Sequence, residues 1–352
     1  MSSKESPVAI VGAGVAGLAA AWELSRNGRP AVVFEKSRGF SGRAASRSRS
    51  GVRYDYGANF FKLAEDRVGE VIRSHLPTEE LVEIPGEVRV LTEDDEILPG
   101  DEKANAETKW TYSSGISTLG KLLAQAANRA EIVRETQIAE VMGSGQSWRL
   151  LSPAGESYGP FEQVLWTLPA PQSYQILKAS SLEGSWLECL GECSYHRQFT
   201  FVLGYHHEPA RPAGVHALVN LDQGHDIAWL SFEEDKPGHV PPGQSVLVVQ
   251  MAPEWSAGEF ASERELLLHE VVEKVAAILG SDWDQPDWWD SQRWKFAHPT
   301  RLLDRGLLEE EECAGLGFHF AGDALVGKGR VPLALGTGLE AADRLLGKRE
   351  AV

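Results

Sequence analysis

A chain of 352 residues with 42% hydrophobic and 24% charged positions has the make-up of a globular protein, large enough for one domain or two interleaved ones. Its net charge of −17 excludes a nucleic-acid partner, because neutralising phosphates needs a dominant basic surface. Cys189, Cys193 and Cys313 are too sparse for a disulfide framework and lack the clustered histidines of a metal site, which points to a reducing cytoplasm.

The first element is apolar. "PVAIVGAGVAGLAAAWEL" follows Lys4 as a signal peptide would, but its regular glycines and its continuation into "SRNGRPAVVFEK" read as a buried strand and helix. No other stretch is apolar enough to span a bilayer, so no membrane association is expected. After "VAIV" come Gly12, Gly14 and Gly17 in G-x-G-x-x-G spacing, with Ala13 and Ala16 between them. Gly12 serves the tight turn, Gly14 lets the backbone approach a pyrophosphate, and Gly17 lets the helix pack on the strand. The helix offers its N-terminal amides to phosphate and stops at Gly28. "AVVFE" is the second strand. It ends in Glu35, 21 residues after Gly14 (35 minus 14), close to the spacing of a carboxylate that grips ribose hydroxyls.

The residues after Glu35 bear on which dinucleotide is bound. "KSRGFSGRAASR" places Lys36, Arg38, Gly42 and Arg43 where a base can reach back to the pyrophosphate, and "YDYGANFF" adds Asp55 and Gly57-Ala58 before aromatics. The acidic stretch 92–107 reads as a solvated surface loop, with a lid as the alternative. "SGISTLGKLLAQAANRA" reads as a capped helix, and 131–171 as a strand, a small antiparallel meander and the apolar strand "QVLWTL". From about 172 to 290, "RQFTFVLGY", "HALVNL", "DIAWLSFEE" and "SVLVVQMA" read as antiparallel strands beside an amphipathic helix, "ASERELLLHEVVEKVAAILG". In "SDWDQPDWWDSQRWKFAHPT", Trp283, Trp288 and Trp289 suit a core under the sheet. On an extended strand Trp294, Phe296 and His298 share one face, and Arg293 and Lys295 the other. Near the C-terminus "FHFAGD" is a strand ending in Gly322-Asp323, before a helix expected to start near Leu333–Gly336.

These stretches together resemble the flavin amine oxidase superfamily, whose second strand is followed by an acid, a basic cluster and Gly-Gly-Arg, then Asp-x-Gly-Ala. Ser41 stands where the first of those glycines is usual, which suggests a less strained turn. Within the superfamily, "EKSRGFSGRAAS", "YGPFEQVLWTLPAPQ", "QRWKFAHP" and "GKGRV" are similar to the renalase-like branch.

The resemblance implies a fold of α/β and α+β character. A Rossmann-like FAD-binding domain of glutathione-reductase type (1–62, 110–171 and 290–352) would be interleaved with an antiparallel-sheet substrate domain (63–109 and 172–289). It implies FAD, with the N-terminal turn on the ADP half, Ile138 offering backbone groups to the adenine, and Gly322, Asp323 and Val331 near the flavin half. Ala58 and Asn59 would also touch the cofactor. The pocket would hold Asn59, Phe60, Phe61, Lys62, Trp110 and His196, with Trp294, His298 and Arg330 closest to the chemistry. The implied activity is oxidation of 2- and 6-dihydro isomers of NAD(P)H, with O2 taking the electrons as hydrogen peroxide. The alternatives are an amine or another small substrate, with Lys295 as a water-holding lysine, and a non-catalytic redox sensor. Pro332-Leu333 replaces the Glu-Gly usual after Arg-Val. An anionic dinucleotide needs local cations, for which Arg43, Lys62, Lys328 and Arg330 are the candidates.

Overall fold

A computed structural model describes residues 6–145, 147–309, 313, 315–327 and 329–348. Its first layer is a five-stranded, all-parallel sheet. Val8–Val11 lies at the centre, with Ala31–Phe34 then Ala130–Val133 on one side and Val164–Trp166 then Phe318–Phe320 on the other. Central parallel strands are covered on both faces, which explains the unbroken apolar run "VAIV". One face carries the helices Val15–Arg26, Thr118–Ala126 and Val331–Leu345. The first and last of these approach closely, since a Cβ on Gly338 would lie 2.1 Å from the Ala16 carbonyl oxygen. That contact brings the two ends of the chain together. The other face is closed by the meander Glu140–Ser144, Ser147–Leu151 and Ser157–Phe161, and by the helices Ala170–Ala179 and Ser185–Glu192.

The second layer is a seven-stranded sheet in the order Trp288–Pro299, Tyr195–Tyr205, Ser245–Met251, Ile227–Phe232, Val215–Val219, Glu87–Leu91 and Ile97–Leu98. Its outer face packs on the helix Arg264–Leu279, with Trp283 fully buried between them. Four differences from the sequence-based expectation have simple causes. The sheet is mixed rather than antiparallel, because Glu87–Leu91 arrives from the earlier segment and pairs parallel to Val215–Val219. Residues 290–299 belong to this sheet, since the whole strand Trp288–Pro299 pairs with Tyr195–Tyr205. Stretch 92–107 is more than a solvated loop: it holds the strand Ile97–Leu98 and the short helix Glu102–Ala106, capped by Asp101. The last helix starts at Val331, because Pro332 is pre-set for a first helical turn.

Candidate functional site

The N-terminal turn is shaped by three glycines in different ways. Gly12 sits at φ +110, a conformation that favours glycine. A Cβ on Gly17 would lie 2.1 Å from the Gly12 carbonyl oxygen, so the helix crosses the strand at backbone contact. Around Gly14, by contrast, no protein atom lies within 4 Å of where a Cβ would stand. Gly14 is the N-cap of Val15–Arg26, and no side chain caps that helix. Its first-turn amides therefore remain as donors for an anion. Glu35 accepts hydrogen bonds from the Ala13 amide at 2.9 Å and the Ser37 amide at 2.8 Å, which fixes its carboxylate beside the turn. Lys36 and Arg38 are exposed on the adjoining loop.

Ser41 departs from expectation. It lies at φ +80 and its neighbour Gly42 at φ +61, so the turn keeps a glycine-like conformation with a side chain in it. The strain is greater than with glycine, because an L-residue pays a steric cost there. The Ser41 side chain is buried against Gly120, and its hydroxyl has no hydrogen-bond partner among the described residues.

Arg43 follows directly and turns inward. Its guanidinium donates to both carboxylate oxygens of Asp323, at 2.6 and 2.8 Å, and to the Ala297 carbonyl at 3.0 Å. Burial opposes the Arg43 charge, but Asp323 outweighs it and raises the pKa. Arg43 is thus engaged by protein, not left as a free cation. The Tyr195 hydroxyl also donates to Asp323, at 3.3 Å. Gly322, at φ +135, anchors this turn through its amide to the Thr337 hydroxyl of the last helix. Arg330 caps the start of that helix by position alone and is exposed; Pro332 at its second position removes one amide donor. Val331 is buried at its first position. Lys328 lies outside the described residues.

Between the two layers runs the Asp55–Phe61 segment. A Cβ on Gly57 would lie 2.0 Å from the Arg43 carbonyl oxygen, which itself accepts from the Ala58 amide at 2.9 Å. The inner face of the large sheet meets this segment. Gln250 donates to the Gly57 carbonyl at 2.6 Å, and Ser231 donates to the Asn59 side-chain oxygen at 3.2 Å. Trp294 stacks on Tyr56 at 5.5 Å and donates to the Thr200 hydroxyl at 3.1 Å; Phe60 tilts against Trp229 at 5.8 Å. The structure thereby gathers Asn59, Phe60 and Trp294, which the sequence had singled out. It adds Tyr56, Trp229, Ser231 and Gln250, which sequence reasoning missed. Trp229 and Ser231 lie two apart in "IAWLSF", so an extended strand puts them on one face, but the sequence does not say what that face meets.

Other expected pocket residues lie elsewhere. Phe61 is core, packed on Tyr112, and its backbone bonds to that of Trp110 in both directions. Trp110 is half-buried against the same core. Lys62 donates to the Ala104 carbonyl at 2.6 Å and pairs with Glu107, so it tethers the short helix and does not serve as a free cation. His196 and His298 are exposed partners on adjacent strands, and the His298 ring lies directly on Gly329. Ile138 is buried under the meander, which leaves only its backbone for a ligand. Asp55, Glu233 and His239 bring ligand-type atoms within 4.8 Å of one another, but the Lys236 ammonium already bridges the two carboxylates.

The donor set fits FAD on its own chemistry. It comprises an uncapped helix start, open space at Gly14, a fixed carboxylate at the end of the second strand, and a second turn at Gly322-Asp323 brought alongside by the last helix.

Comparison with known proteins agrees. Residues 10–74 match the NAD(P)-binding Rossmann-like domain, and residues 102–346 match the flavin containing amine oxidoreductase family. A stretch of 65 residues is 43% identical to protoporphyrinogen oxidase 2, chloroplastic/mitochondrial, of Arabidopsis thaliana; it covers 18% of this chain and 13% of that protein. The fold is similar to that of the "Putative protoporphyrinogen oxidase" of Exiguobacterium sp. 255-15, with a TM-score of 0.80 at 16% identity over 98% of this chain and 99% of that one. It is similar also to cyclohexylamine oxidase of Brevibacterium oxydans IH-35A, with a TM-score of 0.70 at 14% identity over 98% and 100%. A putrescine oxidase triple mutant gives a TM-score of 0.74 at 13% identity over 98% and 99%.

Proposed function

The chain belongs to the flavin containing amine oxidoreductase family, and from that premise we propose that it oxidises a reduced nicotinamide dinucleotide of the 2- or 6-dihydro type, as the renalase-like flavoproteins do. It is an FAD-dependent oxidoreductase. Bound FAD supplies the hydride acceptor and the route by which O2 becomes hydrogen peroxide. Gly12, Gly14, Gly17 and Glu35 would hold the ADP half, and Gly322, Asp323 and Val331 the other half, with Arg43 fixing Asp323 in place.

The observation that carries the substrate reading is the wall formed by Tyr56, Asn59, Phe60, Trp229, Gln250 and Trp294. It contains no His, Lys, Asp or Glu. A dihydronicotinamide gives up hydride and becomes NAD(P)+ without losing a proton to a base, so a wall of rings and amides suffices. Flat aromatic faces would orient a flat ring, and the amides would hold a carboxamide. Arg330, exposed at the start of the last helix, would meet the substrate phosphates. So few cysteines fit a cytoplasmic setting.

A second reading is an amine substrate, since the ring faces of Phe60, Trp229 and Trp294 also suit an amino group, while the Tyr56 ring already carries the Arg47 guanidinium at 4.2 Å. Against it, Lys295 is exposed over Phe296 at 5.3 Å and does not line the wall, so it is poorly placed to hold a water there. Anaerobic mixing of the flavin-loaded protein with 2-, 4- and 6-dihydronicotinamide dinucleotides and with amines separates the readings. Bleaching of the flavin band by the 2- or 6-isomer alone supports the first, and bleaching by amines alone replaces it with the second. No bleaching by any donor, with a partner protein retained in pull-downs, would favour a redox sensor.

A further inference from the structure

Four ionisable side chains with no solvent exposure meet beneath the Asp55–Asn59 segment: Asp55, Glu233, Lys236 and His239. The Lys236 ammonium lies 3.1 Å from Asp55 and 2.6 Å from Glu233. The second Glu233 oxygen accepts from the Asp55 amide at 3.0 Å and faces His239 Nδ1 at 2.9 Å. His239 Nε2 faces the Tyr112 carbonyl oxygen at 3.0 Å. Asp55 further accepts from Ser46, Thr111 and the Ile116 amide.

The ring of His239 decides the charge of this group. A carboxylate and a backbone carbonyl are acceptors only, so each ring nitrogen needs its own proton. The Lys236 ammonium on one Glu233 oxygen and the Asp55 amide on the other keep Glu233 ionised, so a neutral imidazole, with one N–H, would leave two acceptors facing each other through a lone pair. Two carboxylates are then matched by two cations and the buried group sums to zero. A net buried charge would be far more costly.

We infer that His239 is a buried imidazolium and a positioning residue, whose charge completes a neutral lock that sets the Gly57–Asn59 backbone against the cofactor and substrate wall. The lock grips Asp55 at one end of the segment, while Gln250 and Ser231 grip Gly57 and Asn59 at the other. Other elements add no uncompensated charge at the ring. Arg53 contributes its amide to the His239 carbonyl and sends its guanidinium to the Ser113 carbonyl, and the 109–112 strand presents the Tyr112 carbonyl. Burial works against both Glu233 and Lys236 as ions, and their partners reverse it: Glu233 is held well below the usual carboxylate range and Lys236 above the usual lysine range. The consequence for the site rests on the reading of Gly57–Asn59 as its border; the protonation state does not.

Nitrogen NMR of the full-length flavin-loaded protein with labelled histidine tests the state directly, with His239→Gln identifying the signal. Two protonated ring nitrogens at pH 7 are expected; a neutral tautomer overturns the inference. Glu233→Gln and His239→Gln, each leaving one unbalanced charge, are expected to weaken FAD binding roughly tenfold and to alter visible circular dichroism of the flavin. The double variant, neutral again, is expected to regain most of both. Additive losses, or recovered thermal stability with unchanged flavin spectra throughout, overturn the positioning role. Donor specificity is read separately, so a wrong substrate leaves these outcomes intact.

Discussion

Arg43 and Asp323 stand 280 residues apart in the chain and close on each other through two hydrogen bonds of 2.6 and 2.8 Å. The pair joins the loop after the second strand to the turn before the last helix. Arg43→Met leaves Asp323 as a buried, unpaired carboxylate and is expected to cost about 3–5 kcal/mol. Thermal unfolding and the flavin-to-protein ratio of the purified variant check it: both fall, and Arg43→Lys restores stability only in part, since lysine makes no planar fork.

Gly14 and Gly17 separate binding from folding. A methyl group at Gly14 meets no protein atom within 4 Å, whereas one at Gly17 collides with the Gly12 carbonyl at 2.1 Å. Gly14→Ala is expected to keep the unfolding midpoint of the flavin-free protein while FAD affinity drops at least roughly tenfold, as the pyrophosphate loses its approach. Gly17→Ala is expected to unfold earlier even without flavin. Equal stability of the two apoproteins would refute this division.

Ser41 carries strain without a visible return. At φ +80 with a buried, unpaired hydroxyl, it is expected to be improved by Ser41→Gly, by about 1 kcal/mol after the entropy cost of glycine. Denaturant unfolding at constant flavin saturation measures it; a loss of stability would mean that the hydroxyl has a role the hydrogen-bond geometry does not reveal.

Because the wall around Tyr56, Asn59 and Trp294 has no His, Lys, Asp or Glu, flavin bleaching by a dihydronicotinamide is expected to be flat between about pH 6 and 9. Rapid mixing under anaerobic conditions gives the profile. A bell-shaped dependence would assign an acid or base to the reaction and displace this account.

His319 supplies a pH dependence of stability. Burial first, then Arg344, lowers its pKa from 6.5 to about 4. The unfolded chain therefore binds the extra proton more readily between those values, so stability is complete above pH 6.5 and declines as pH falls toward 4. His319→Gln should flatten that part of the pH–stability curve. An unchanged slope would assign this part of the curve to His216 and His298, whose pKa values burial also lowers from 6.5.

The dinucleotide unit was legible because its information is local. Strand, three glycines, helix and acid succeed one another within 28 residues (35 minus 8, counting both ends), and each has a backbone reason to be what it is. The cofactor emerged from the basic cluster and the Gly-Asp turn through family resemblance. Asn59 and Phe60 were named by the same route and Trp294 by its face on an extended strand, and the structure brings the three to one region. Phe61 packs in the core and Lys62 reaches the Ala104 carbonyl and Glu107, partners that lie outside the segment and cannot be read from it. Trp229, Ser231 and Gln250 were missed because nothing in their strands marks which face meets the Asp55–Phe61 segment.

Sequence alone therefore determined the glycine turn between the first strand and helix, which depends on short-range backbone geometry, and through resemblance the superfamily and FAD. Tertiary structure decided everything that depends on which distant groups meet. It brought Arg43 onto Asp323, made Glu87–Leu91 a parallel partner of a strand more than 120 residues later (215 minus 91), and placed Glu233, Lys236 and His239 around Asp55. A charge in a sequence has no partner until the fold removes water and leaves it one neighbour, and that choice is made by packing of the whole chain.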